Sequence, residues 1–283
     1  MQCPSCKETI DDKTISVDEA LKDLNNLVGL KSVKDAVTNI VKQFQAQKRT
    51  GVTDTFYKHL VFMGNPGTGK TTVARIMPDI FKAIGILPTN KLIEVERGDM
   101  VAPYVGQTAK LVNEQCDNAM GGILFIDIAY TLQQGPHDSF GQEAVDTLLK
   151  RMEDDRGKFV VIAAGYPKEM KEFLTSNSGL KSWFTDYIYL DDYNPDEMRE
   201  IFIGMCKKSK IEFAPSFDEV LRKRLNDLYA GRTKSFANAR TIRNIFNKTM
   251  ENVAVRVFAM QKPEEELKRE LLIMRPEDLD MTV

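Results

Sequence analysis

Cysteine, histidine and tryptophan are scarce in this 283-residue chain: 4 Cys, 2 His and 1 Trp. Four cysteines at this length are too few for a disulfide scaffold. A chain this long buries roughly three quarters of its unfolded surface and needs no staples. An excess of charge of one sign is also lacking, with 39 Lys+Arg against 41 Asp+Glu and a net charge of −2. Nucleic-acid binding by counterion release needs a concentrated basic face, and the cluster Lys207-Lys208-Ser209-Lys210 is short enough to be solvated helix surface. No run approaches the ~20 apolar residues that span a bilayer. The most apolar stretch, 121–129, is of strand length and is interrupted by Asp127. The N-terminus, Met1-Gln2-Cys3-Pro4-Ser5-Cys6, lacks the charged region and apolar core of a secretory leader. These absences lead to the expectation of a soluble cytoplasmic protein with neither nucleic acid nor membrane as partner.

What is present has a clear rhythm. From Val17 the apolar residues fall at helical spacing, first as Leu21, Leu24, Leu27 and Val28, then as Val33, Val37, Ile40 and Val41. Short β-branched and aromatic runs at 59–63, 121–127 and 159–164 lie between longer helical patterns. That alternation predicts an α/β fold in which βαβ units build a parallel sheet flanked by helices. Near Asp191 the texture changes. Asn194 followed by Pro195, Asp196 and Glu197 has the chemistry of a helix start, and helix then follows helix to about Ala259, which predicts a small all-helical second domain.

Gly64-Asn65-Pro66-Gly67-Thr68-Gly69-Lys70-Thr71 fits the pattern G-x-x-x-x-G-K-[ST], after a short apolar run and ahead of a helical stretch that begins with Lys70, Thr71 and Thr72. Glycines let backbone N–H groups turn inward on phosphate oxygens, and the helix start adds a favourable dipole. Lys70 would reach the outer phosphates, and the Thr71 hydroxyl would ligate Mg²⁺. Asp127 ends the apolar run Ile123-Leu124-Phe125-Ile126. An unpaired carboxylate there is costly to bury unless it sits in a site, and the carboxyl ends of parallel strands are where such sheets bind ligands. The chain is therefore expected to bind a nucleotide, with Asp127 on the metal side.

With both motifs placed, the chain resembles the AAA+ ATPases, a P-loop NTPase family, in the branch that includes SpoVK and the Rubisco activase CbbX (CfxQ-type). The likeness covers roughly residues 20–260 and rests on GNPGTGKTTVAR (64–75), VAPYVGQTA (101–109), GGILFID (121–127), FGQEAVDTLL (140–149), VVIAAGYP (160–167) and NARTIRN (238–244). It implies an ATP- and Mg²⁺-dependent ATPase that forms a homo- or hetero-oligomeric ring and remodels a client protein. By position it implies a nucleotide-binding domain over 16–190, after an N-terminal tail at 1–15, and a helical lid with the C-terminal tail at 191–283. It also implies that Val28 and Gly29 line an adenine pocket. Arg240, or less readily Arg243, would reach from the lid to the γ-phosphate, and Tyr104-Val105-Gly106 would be a pore loop gripping polypeptide. Lys70, Asp127 and Arg240 are thus the candidate catalytic groups.

Three positions depart from what the resemblance implies. Ile128 stands where the family carries the glutamate that polarises the attacking water, and isoleucine has no lone pair for that task. Trp183 stands at the second arginine of the family's Gly-Leu-Arg-Ser-Arg-Phe, the finger inserted into the neighbouring subunit's site. Lys181 keeps a charge two residues away but lacks the planar fork. Trp183 would instead make an apolar subunit contact, or block one. Pro78 falls inside the phosphate-loop helix, where proline removes a backbone bond and favours a kink. Binding is expected to survive and hydrolysis to be badly slowed. A non-hydrolysing scaffold, a passive subunit of a mixed ring and, less favoured, a DNA-directed subunit are the competing expectations.

Cys3 and Cys6 have the two-residue spacing of half a zinc knuckle. The other half is missing, so a shared zinc site and a plain tail both stand at this level. Cys116 and Cys206 fall singly in helical patterns and read as ordinary semi-buried thiols.

Overall fold

Five strands rich in β-branched and aromatic residues form one parallel sheet in a computed structural model, which describes residues 15–51, 58–135, 137–233 and 236–282. They are β1 (His59–Gly64), β2 (Leu92–Val95), β3 (Ile123–Ile126), β4 (Val160–Gly165) and β5 (Phe184–Leu190), in spatial order β2-β3-β4-β1-β5. The register sets Leu60 against Ile162 and Phe62 against Ala164 on one side of β1, and Val61 against Tyr187 on the other. Every residue of β1 and of β4 is buried, as central strands covered on both faces require.

Because side chains alternate along a strand, neighbouring residues enter opposite cores. Leu60, Phe62, Phe125 and Ile162 pack on the face covered by α1 (Val17–Asn25), α2 (Lys31–Thr50) and α3 (Lys70–Ile84). Val61, Met63, Leu124, Ile126 and Val161 pack on the other face. The helices α4 (Arg97–Met100), α5 (Thr108–Ala119), α6 (Ser139–Asp154), α7 (Pro167–Ser176) and α8 (Ser178–Trp183) contribute to that second core. Val33, Val37, Ile40 and Val41 are the buried stripe of α2, as the helical spacing predicts. Pro78 lies inside α3 and is buried there. The helix continues past it to Ile84, so the proline costs a bond but does not end the helix.

After β5, Asn194 caps α9 (Pro195–Lys208) by a reciprocal pair: its side chain accepts from the Glu197 N–H, and Glu197 accepts from the Asn194 N–H. The helices α10 (Phe217–Ala230), α11 (Ala239–Phe258) and α12 (Glu264–Glu270) complete a helical lid. Its core residues Phe202, Phe217, Leu221, Ile242 and Ile245 are continuous with the apolar face under α3. Two short strands, β6 (Glu212–Phe213) and β7 (Ile273–Met274), pair in parallel and add to the helices the sequence predicts. Arg256 of α11 sits between Asp278 and Glu270 and ties the C-terminal segment to the lid. Cys116 and Cys206 are fully buried rather than semi-buried, and burial pushes both thiols up to about 12, which leaves them inert at neutral pH.

Candidate functional site

The turn from β1 into α3 lies at the carboxyl edge of the sheet. Gly67 has φ +72° and Gly69 φ +99°, conformations that side-chained residues rarely adopt. At Gly67 a β-carbon would also collide with the Ala237 carbonyl oxygen of the lid. The Lys70 ammonium donates to the carbonyls of Gly64 (2.8 Å) and Asn65 (3.0 Å) and lies 5.3 Å from the centre of the Tyr166 ring. Burial lowers its pKa, Asp127 opposes that shift, and Arg240 adds to it. Lys70 is therefore a desolvated cation with its field directed at the loop, ready to exchange carbonyl partners for an anion.

The Thr71 hydroxyl donates to Asp127 Oδ2 at 3.3 Å, and Asp127 Oδ1 accepts from the Ile128 N–H. A hydroxyl beside a carboxylate at a strand end is the oxygen donor set that suits Mg²⁺. Ile128 itself has φ 52° and ψ 46°, left-handed backbone that is a true outlier for a β-branched residue. Its side chain is exposed at the cleft wall.

The cleft these groups share is about 710 Å³. Its walls include Pro66, Gly67, Gly69, Lys70, Thr71 and Thr72, then Asp127 and Ile128 from the sheet, and Arg240 and Arg243 from α11. Val28 lies on the wall with Leu27 and Leu30, facing Ile201 and Met205 of α9, an apolar slot of the kind a flat base fills. Gly29 stands between Val28 and Leu30 at φ +62°, and a β-carbon there would lie 2.5 Å from the Glu197 carboxylate. Gly64, Asn65 and Thr68 stand behind the lining. Gly64 packs against Leu190, Asn65 donates to Asp192, and the buried Thr68 hydroxyl donates to the Asn65 carbonyl.

Other sequence candidates fall elsewhere. Tyr104, Val105 and Gly106 occupy the exposed connection between α4 and α5, away from the cleft. Trp183 is half-buried at the opposite end of β1, 5.7 Å from the His59 ring, with the Arg156 guanidinium stacked on it at 4.9 Å. Lys181 is exposed. Cys3 and Cys6 lie outside the described residues, and among the described residues no cluster of His, Cys, Asp and Glu is arranged to hold a metal ion.

Several wall and support residues were not among the sequence candidates, although Tyr166 and Asn238 lie inside the motifs at 160–167 and 238–244. Tyr166 follows β4 and meets Lys70 only because β4 pairs with β1. Tyr193 donates its hydroxyl to the Thr68 carbonyl, and burial, with Glu197 nearby, pushes that hydroxyl up to about 12. Asn238 is fully buried against the loop.

Residues 60–180 match the family model described as ATPase family associated with various cellular activities (AAA), and residues 194–283 match the AAA lid domain. The chain is 35% identical over 269 residues to Stage V sporulation protein K of Bacillus subtilis, covering 93% of this chain and 82% of that protein. It is 35% identical over 278 residues to the chloroplastic ribulose bisphosphate carboxylase/oxygenase activase of Cyanidioschyzon merolae, covering 94% and 92%. Among solved structures, the FIGL-1 AAA domain in complex with ADP superposes with a TM-score of 0.60 at 17% identity, over 89% of this chain and 80% of that one, a likeness of fold. The loop, the parallel sheet and the helical lid thus stand in a chain that belongs to the AAA+ ATPases, alongside SpoVK-type and Rubisco-activase-type members.

Proposed function

We propose that this protein binds ATP with Mg²⁺ in the cleft between the sheet and the lid, turns it over slowly, and transmits nucleotide state to a client protein. The observation that carries the reading is the meeting of Lys70, Thr71 and Asp127 in one cleft with Ile128 beside them. The nucleotide-binding unit would span 16–190 and the lid 191–283. Loop amides and Lys70 would hold the phosphates, while Thr71 and Asp127 would hold Mg²⁺, whose charge offsets that of the polyphosphate. Arg240, whose positive charge reaches Lys70, would bring the lid to the outer phosphate. The slot formed by Val28, Leu27, Leu30, Ile201 and Met205 would take the base.

The slow step follows from what Ile128 lacks. General-base positioning contributes about 10²–10⁴ in rate, and an arginine supplied by a neighbour about 10³–10⁵. Isoleucine and Trp183 offer neither. The loop carrying Tyr104 and Val105 is exposed enough to contact a polypeptide, and ring assembly is the arrangement expected of the family. No helix among the described residues is long and apolar enough to cross a membrane. Equilibrium binding of ATP-Mg²⁺ by the purified protein, run beside steady-state phosphate release and sedimentation, tests the proposal. Binding with turnover far below the ~1 s⁻¹ floor of ordinary enzymes and ATP-dependent assembly supports it. Absence of binding, or turnover at an ordinary rate, overturns it.

A further inference from the structure

The phosphate loop is held from behind by the hinge and the lid, one carbonyl after another. The Pro66 carbonyl accepts from the Asn238 side-chain amide (3.1 Å), the Gly67 carbonyl from the Ala239 N–H (3.2 Å), and the Thr68 carbonyl from the Tyr193 hydroxyl (3.2 Å). Asn65 joins the same clamp, donating to both carboxylate oxygens of Asp192 at 2.9 and 3.1 Å. Asn238 is its centre. Besides Pro66 it donates to Asp192 Oδ1 (2.8 Å) and accepts from the Tyr193 N–H (3.0 Å), so one side chain joins loop, hinge and the start of α11.

Two facts separate this residue from ordinary packing. Asn238 is completely buried, and its backbone sits at φ 50° and ψ −127°, a conformation natural to glycine and strained for any side-chained residue. The side chain is present there despite the strain. In a planar trans peptide the C=O and the following N–H point in opposite directions. Carbonyls of residues 66–68 drawn toward hinge and lid therefore turn the N–H groups of Gly67, Thr68 and Gly69 away from them, leaving those amides free for another acceptor.

We propose that Asn238 is a positioning residue: it presets the amides of the phosphate loop from the lid side, so that lid position and phosphate affinity are coupled through Asp192. The coupling is reciprocal, as any linkage must be. A bound phosphate chain that fixes the amides fixes the lid hinge in return. The inference rests on the nucleotide reading of the cleft, and the test separates the two.

Asn238→Gly removes the amide while accepting the backbone angles, and Asp192→Ala removes its hinge partner from the other side. Affinity for ATP-Mg²⁺ is measured for wild type, both single variants and the double variant, with melting temperature as the fold control. In parallel, hydrogen exchange of the nucleotide-free proteins follows peptides covering 64–71 and, as reference, β3 and β4. Each single variant is expected to bind about tenfold more weakly, the equivalent of ~1.4 kcal/mol. The double variant is expected to bind little more weakly than either single, because both cut the same connection. Exchange over 64–71 should rise about tenfold with β3 and β4 unchanged. Wild type that binds no nucleotide defeats the reading of the cleft, while the exchange data still judge the clamp. Wild type that binds, with variants binding equally well or with a hundredfold additive loss in the double variant, overturns the positioning role. Should Asn238→Gly fail to fold, Asp192→Ala alone must show the affinity loss and the faster loop exchange, and its failure to do so also overturns it.

Discussion

Replacing Ile128 with glutamate is the perturbation whose outcome follows most directly from the geometry. The residue sits next to Asp127 on the cleft wall, and its left-handed backbone costs a side-chained residue roughly 1–2 kcal/mol. A glutamate has no branch at the β-carbon and finds that backbone easier. The isoleucine is already partly exposed, so little apolar burial is lost. Ile128→Glu is therefore expected to fold with its melting temperature unchanged or slightly raised. A carboxylate able to orient water contributes about 10²-fold or more, equivalent to ~2.7 kcal/mol off the barrier. Phosphate release at saturating ATP-Mg²⁺ should rise by at least that factor, while nucleotide affinity changes by less than about threefold. Adding Trp183→Arg should raise the rate further only under conditions in which subunits associate. That second change breaks the contacts with His59 and Arg156, so it must be scored beside its own melting curve. Wild type turning over as fast as Ile128→Glu, or the double variant remaining silent with intact affinity and fold, would refute the assignment of slow chemistry to these two positions.

Other outcomes are equally open to measurement. His59 is buried and neutral, its pKa lowered from 6.5 to about 4 by desolvation, while its Nδ1 accepts from the Val161 N–H. The unfolded chain takes up that proton first, so stability held above pH 6.5 is lost as pH falls to about 4, by about 3 kcal/mol; in chemical denaturation, His59→Asn, which keeps an acceptor, should flatten the slope across that window. Asp138 accepts from Arg97 and from the Gln134 and Gly141 N–H groups, and the Arg97 bond foremost holds its pKa down at about 2. Its contribution, present above about pH 4, disappears toward pH 2, and Asp138→Ala should cost about 2–4 kcal/mol at neutral pH by loss of a helix cap and a charged bond. Gly67→Ala places a methyl against the Ala237 carbonyl at a positive φ, so calorimetry should find ATP binding reduced at least tenfold with the sheet still folded.

Features written in consecutive residues were legible in advance. The phosphate loop, Asp127 at its strand end and the Asn194 cap each depend on a few neighbouring side chains. β5 carried a signal of its own, since Phe184, Ile188 and Leu190 are buried with exposed Thr185 and Tyr189 between them. β2 is four residues long, and only its last is fully buried, so little in its local pattern marks it. Pairing of Glu212–Phe213 with Ile273–Met274 joins segments some sixty residues apart and has no local mark. The site divides in the same way. Lys70, Thr71 and Asp127 announce themselves, whereas Tyr166, Tyr193 and Asn238 matter only because strand order and lid docking bring them to the loop. Gly29, between Val28 and Leu30 of the cleft wall, also lacks a side chain where Glu197 approaches, a close approach that only the folded lid reveals.

Incubating the protein with ATP-Mg²⁺, isolating the complex by rapid gel filtration and identifying the nucleotide it carries addresses the central claim in one step, with Lys70→Ala as the control that should carry almost none. The account predicts near-stoichiometric ATP that stays intact after many minutes. Recovery of ADP, or of no nucleotide, from well-folded wild type would contradict it.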